Sequence, residues 1–73
     1  MLRELQRYHA QQQVVELIYL NRHGEASKRA VRIHSIDGER IKAYCFERRA
    51  NRVFRIANIL AVMPFIRRAA GWQ

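Results

Sequence analysis

Apolar and polar positions alternate with a period of two over most of residues 14–63, and a looser helical spacing precedes them. In residues 1–13, Leu2, Leu5 and Tyr8 or His9 fall near helical spacing with no Gly or Pro to interrupt them. The pattern predicts a short N-terminal helix or linker, which holds only if its thin stripe packs on something. Val14–Leu20 is a first strand, with Val15, Leu17 and Tyr19 alternating with Glu16, Ile18 and Leu20. Both of its faces are largely apolar, which suits a central or helix-covered position. Residues 21–26 form a turn, with Gly24 supplying a positive φ. A second strand over 27–34 sets Val31 and Ile33 against Lys28, Ala30, Arg32 and His34, apolar inward and basic outward. Asp37-Gly38 marks a hairpin. A third strand over 39–46 places Ile41, Ala43 and Cys45 on one face and Arg40, Lys42, Tyr44 and Phe46 on the other.

The loop 47–51 leads into a fourth strand over 52–56, with Phe54 and Ile56 inward, Arg52 at the rim, and Val53 and Arg55 outward. Residues 57–59 suit a single tight helical turn, and a last strand over 60–63 is stopped by Pro64. The tail, residues 64–73, carries Arg67, Arg68 and Trp72. Five short strands with short turns predict a mainly β fold: a small five-stranded SH3-like or Sm-like barrel with an N-terminal helix. The competitor, a five-stranded oligonucleotide-binding barrel, usually needs a longer chain. One domain is expected, with a helix or linker over 1–13, the barrel over 14–63 and a tail over 64–73.

Charge adds a candidate chemistry. The 73 residues carry a formal charge of +8, and twelve of the fourteen basic side chains are arginine. Guanidinium makes planar, bidentate contacts with phosphate and stacks on rings, which ammonium does not. Arg48, Arg52 and Arg55 bracket one loop, and Arg29 joins them, with Arg32 and Lys42 alongside. Such a cluster suits phosphate binding, with Tyr44 or Tyr19 placed to stack on a base. Arg29, Arg48, Arg52, Arg55, Lys42 and Tyr44 are therefore the candidate ligand-binding residues. Alternation puts Arg52 and Arg55 on opposite faces, so convergence requires a twist or bulge there. The alternative is solvated strand faces with arginines paired to Glu16, Glu39 or Glu47.

Other chemistries find little support. Cys45 is alone and alternates with the inward set, which suits a buried apolar residue better than a nucleophile. His9, His23 and His34 lack metal-ligand spacing, so no metal site and no cofactor are expected. Ser27, His34 and Asp37 have no nucleophile turn or oxyanion site around them, and an enzyme is not expected. No run of about 18 apolar residues suggests a membrane span, and a cytoplasmic protein is the default expectation.

The ordered set of residues resembles the WYL domain, a bacterial module with an Sm-like, SH3-related β-barrel fold. A strand ending in Tyr is matched by Val15, Leu17 and Tyr19; a Gly turn and an Arg-led strand by Gly24, Ser27, Arg29 and Val31. Ile41, Ala43, Tyr44 and Cys45 follow. Then come the family's Arg, its Arg-x-Phe-Arg-hydrophobic and its closing Ile, at Arg48, Arg52, Phe54, Arg55, Ile56 and Ile59. The resemblance spans about residues 13–63. The Trp-Tyr-Leu that names the family is absent, with Arg40-Ile41 in place of Tyr-Leu, and Ala57-Asn58 replaces an Asp-Arg. The Pro that the family carries after the Arg-led strand is missing as well.

The resemblance implies ligand sensing. WYL domains usually accompany a helix-turn-helix in bacterial transcription regulators, with single-stranded nucleic acid or nucleotides as ligands. The expected partners are thus such a ligand and a fused or separate helix-turn-helix DNA-binding domain. The competing expectation is a protein–protein module. A barrel this small leaves strand edges open, so it could form a homodimer by edge pairing, its arginines serving solubility.

Overall fold

The computed structural model describes residues 1–66; Arg67, Arg68 and Trp72 lie outside the described residues. The chain runs α1 (Leu2–Ala10), β1 (Val14–Leu20), β2 (Ala26–Asp37), β3 (Arg40–Cys45), β4 (Ala50–Arg55), a 3₁₀ turn (Ile56–Asn58) and β5 (Ile59–Pro64). The five strands form one sheet in the order β4-β3-β2-β1-β5, antiparallel throughout. The fold is mainly β with one N-terminal helix, as the alternation predicts.

Two irregularities bend the sheet. β2 pairs with β1 through Ala26–Arg32 and with β3 through Val31–Asp37, and its register slips between Ile33 and Ser35. β1 slips against β5 between Ile18 and Tyr19. Bulges of this kind increase local twist and bend the strand. The sheet curls until β1 and β4, which have two strands between them in the order, touch: the Tyr19 and Phe54 rings pack edge to face at 5.0 Å. The Arg55 backbone N–H donates to the Tyr19 hydroxyl at 3.1 Å. Among the described residues β4 and β5 share no ladder. The 3₁₀ turn spans between them, so side chains and this turn close the corner of the barrel.

The bulge also explains why β2 runs past the predicted end at 34. The inward set is Val31, Ile33 and then, one residue out of phase, the partly buried Ile36 opposite Ile41. A strict period of two loses the strand at that point. The following hairpin has Gly38-Glu39 as its central pair. Gly38 at φ +61° and Glu39 outside the positive-φ region fit a type II′ turn, whose twist matches the strands.

The core sits inside the curl. Val15, Leu17, Val31, Ile33, Ile41, Ala43, Cys45, Phe54 and Ile59 are buried, and Leu5 and Tyr8 of α1 complete the cluster. α1 is too short to hold alone and draws its order from packing on the sheet. Its end is well defined. Gln12 is left-handed at φ +53°, the Gln13 N–H donates to the Tyr8 carbonyl and the Gln12 N–H to the His9 carbonyl. This is a Schellman arrangement with Gln where Gly is usual. His9 then ties the helix to β2, its ring Nε2 donating to the His34 carbonyl at 2.7 Å. In the first turn, the Glu4 backbone N–H and the nearby Met1 amino group hold the exposed Glu4 carboxyl below the usual carboxylate range.

Candidate anion-binding site

Arg29 belongs to the core face of β2. It stands opposite Leu17 and two residues before the buried Val31. β3 ends at Cys45, which pairs with Val31, so no β3 residue lies across from Arg29. The core face therefore opens at this end, and a half-buried arginine occupies the opening. Its Nε donates to the Ser27 hydroxyl at 3.2 Å, which fixes the guanidinium against its own strand.

β4 brings the next two. Arg52 stands opposite the buried Ala43, on the core face at the open end, and Arg55 is the last residue of the strand. Alternation separates them, yet both line the same pocket, together with Arg29. The cause is that β4 is an edge strand. Its free side is the lip of the pocket, so residues of both parities reach it. The Tyr19 hydroxyl holds this lip through the Arg55 N–H.

Arg22, in the turn after β1, lines the pocket as a fourth cation, and Asn21 and Asn58 add amide groups. The turn is built by Asn21, whose side-chain oxygen accepts from the His23 and Glu25 backbone N–H groups at 2.8 and 3.0 Å. Sequence reasoning missed Arg22. The signal available was the β1–β2 hairpin itself, which sets this turn at the same end of the sheet as Arg29. The pocket has a volume of about 490 Å³, with Cys45 and Phe54 in its wall and no carboxylate in its lining. Among the described residues the single ion pair joins the Met1 amino group to Glu4, so the expected alternative pairing of these arginines with Glu16, Glu39 or Glu47 is not formed there. Like charges facing one cavity without internal counter-charge favour an anionic occupant.

The expected single cluster is otherwise divided. Arg48 lines a neighbouring depression with Ser27, Lys28 and Glu47, which shares Arg29 with the pocket. Lys42 and Tyr44 are on the opposite, outer face of β3, because Ile41, Ala43 and Cys45 take the core face. Lys42 lines a hollow with His34, Asn51, Arg52 and Val53, and Tyr44 packs edge to face on Phe46 at 5.1 Å. Tyr19, not Tyr44, is the tyrosine at the pocket. Cys45 is fully buried, and no group of three potential metal ligands occurs among the described residues. No helix there is long and apolar enough to cross a membrane.

No family model and no curated protein matches this sequence. Among solved structures the chain is similar to Proteasome accessory factor B/C (PafBC) of Arthrobacter aurescens, with a TM-score of 0.74 and 23% identity. The match covers 96% of this chain and 12% of that one. It shows a shared fold over nearly the whole of this chain, which spans a small part of the PafBC length.

Proposed function

We propose that this chain is a WYL-type regulatory module that binds an anionic ligand, a nucleotide or single-stranded nucleic acid, in the arginine pocket. Ligand occupancy would be passed to a helix-turn-helix DNA-binding domain, fused or separate, of a bacterial transcription regulator. One observation carries the ligand reading: Arg22, Arg29, Arg52 and Arg55 line one concave pocket that holds no carboxylate. The ordered family residues and the fold shared with a much longer protein support the modular part. The role proposed for the pocket is binding, through guanidinium groups suited to phosphate.

The test is a titration of a fluorescent mononucleotide and of a labelled single strand at several salt concentrations. Binding through phosphates weakens with a log–log slope of about −0.7 per phosphate neutralised on single strands. Arg29→Gln and Arg52→Gln should each weaken mononucleotide binding while the melting temperature holds. Salt-independent binding, or binding untouched by both changes, overturns the pocket assignment.

A second reading rests on the edges. Val53 of β4 and Leu60 of β5 are each more than half exposed on strands that end the sheet. Edge pairing of two copies would cover them, and a concentration-dependent mass in solution, abolished by Val53→Lys, is its signature.

A further inference from the structure

The outer face of the sheet has a composition that a solvated face does not need. In a sheet with one face on the core, the other is normally polar. Here Tyr44 and Phe46 stand side by side on it, Phe46 is 41% exposed, and Phe65 is exposed to the same extent. Phe46, Phe65, Val14 and Ala30 line a shallow, open hollow of about 570 Å³ that is almost wholly apolar. Backbone bonds fix its walls, from the Phe46 N–H to the Ala30 carbonyl and from the Phe65 N–H to the Val14 carbonyl.

Cations are interleaved with these rings by register. Arg32 stands between Val14 and Tyr44, Lys28 lies opposite Ile18, and Lys42 lies opposite Val53; all three cations are exposed. The carboxylates nearby are Glu16, half-buried opposite Ala30, and Glu47 in the loop beside Phe46. An apolar patch rimmed by polar groups marks an interaction surface. A second copy of this chain would bring three more cations to the seam with only Glu16 and Glu47 nearby to answer them. Rings spaced among cations on an open sheet instead match a strand of nucleotides, whose bases stack while phosphates meet the cations.

We infer that the outer face of β2 and β3 is a binding platform for single-stranded nucleic acid, built on Tyr44, Phe46 and Phe65 with Arg32, Lys28 and Lys42. It is distinct from the arginine pocket, since Tyr44, Phe46 and Phe65 stand outside the pocket's lining, while Lys28 and Lys42 line rim depressions that also touch Arg29 and Arg52. A base occupies the hollow between Phe46 and Phe65, a second stacks at Tyr44, and Arg32 takes the phosphate between them.

The experiment is fluorescence anisotropy of a labelled twelve-nucleotide oligothymidylate with the whole chain, beside an abasic strand of equal length and with polyglutamate as competitor. Tyr44→Leu and Phe46→Leu keep apolar bulk but remove the ring, and each should weaken the thymidylate by roughly 5- to 100-fold. Tyr44→Phe should restore binding, and the abasic strand should bind at the level of the leucine variants. Arg22→Gln with Arg29→Gln, in the pocket, should abolish mononucleotide binding while strand binding keeps its dependence on the Tyr44 and Phe46 rings, and the leucine variants should leave mononucleotide binding unchanged. Equal affinity for the abasic strand, or unchanged binding in both leucine variants, overturns the platform. So does displacement by polyglutamate at equal charge, which points to an acidic protein partner. Strand binding lost with the pocket pair alone also overturns the platform but leaves the pocket standing. Mononucleotide binding indifferent to that pair removes the pocket and leaves the platform.

Discussion

The two faces of the β2–β3 hairpin differ by a single step along each strand, and the step decides everything about a residue's role. On the core face Val31, Ile33, Ile41, Ala43 and Cys45 are buried; between them Arg32, Lys42 and the half-buried Tyr44 meet solvent. Lys28 and Arg29 are neighbours in sequence on opposite faces of β2; Arg29 reaches the mouth of the pocket and Lys28 does not, and the two meet only at the rim depression they share with Arg48. Proximity in sequence is therefore a poor guide to which cations act together. Parity within a strand is a good one, except at β4, where the free edge lets Arg52 and Arg55 share a cavity.

The comparison breaks most sharply at two phenylalanines. Phe54, 5% exposed, packs in the core, and Phe54→Ala should cost about 3–5 kcal/mol. A domain this size has about 4–11 kcal/mol in total, so urea denaturation should find a much lower midpoint, and an unfolded variant if the total lies at the low end. Phe46→Ala on the outer face should cost less, about 0.5–1.5 kcal/mol through the lost edge-to-face contact with Tyr44, with strand binding carrying the larger loss. Equal destabilisation by the two would mean that the outer face is covered by the chain itself.

Smaller effects sharpen the account of the pocket lip. Tyr19→Phe keeps the ring contact with Phe54 and deletes the hydroxyl that accepts from the Arg55 N–H, so about 0.5–1.5 kcal/mol should be lost. Hydrogen exchange should rise at the Arg55 amide more than elsewhere. Smaller again, and opposite in sign, are Gln12→Gly and Arg49→Gly. Both positions are left-handed, at φ +53° and +54°, where a side chain is strained. Each change should add about 0.5–1 kcal/mol and raise the melting temperature by several degrees.

Much of this architecture is legible in the chain. Alternation locates all five strands and most of the inward set, but β4 starts at Ala50 inside the expected loop, β5 runs on to a Pro64 paired with Val15, and Ile56 falls in the 3₁₀ turn instead of on the strand. The features that escape are those that break periodicity. The Ile33/Ser35 slip hides the last turn-ward residues of β2, and the left-handed Gln12, at a position where Gly is usual, hides the end of α1. At the candidate site Arg29, Arg52 and Arg55 do come together, but by curling of the sheet, which depends on the two bulges and not on any local motif. Arg22 enters only through that three-dimensional closure. Lys42 and Tyr44, close to the arginines in sequence, are separated from Arg29 by the thickness of the sheet.

The most direct test of the central claim is calorimetric titration of a mononucleotide into the protein and into Arg29→Gln at low and moderate salt. Saturable binding that falls with salt, and that the substitution removes without lowering the melting temperature, is the predicted result. Absence of binding at low salt, or binding that Arg29→Gln leaves intact, would contradict the assignment of the pocket as an anion site.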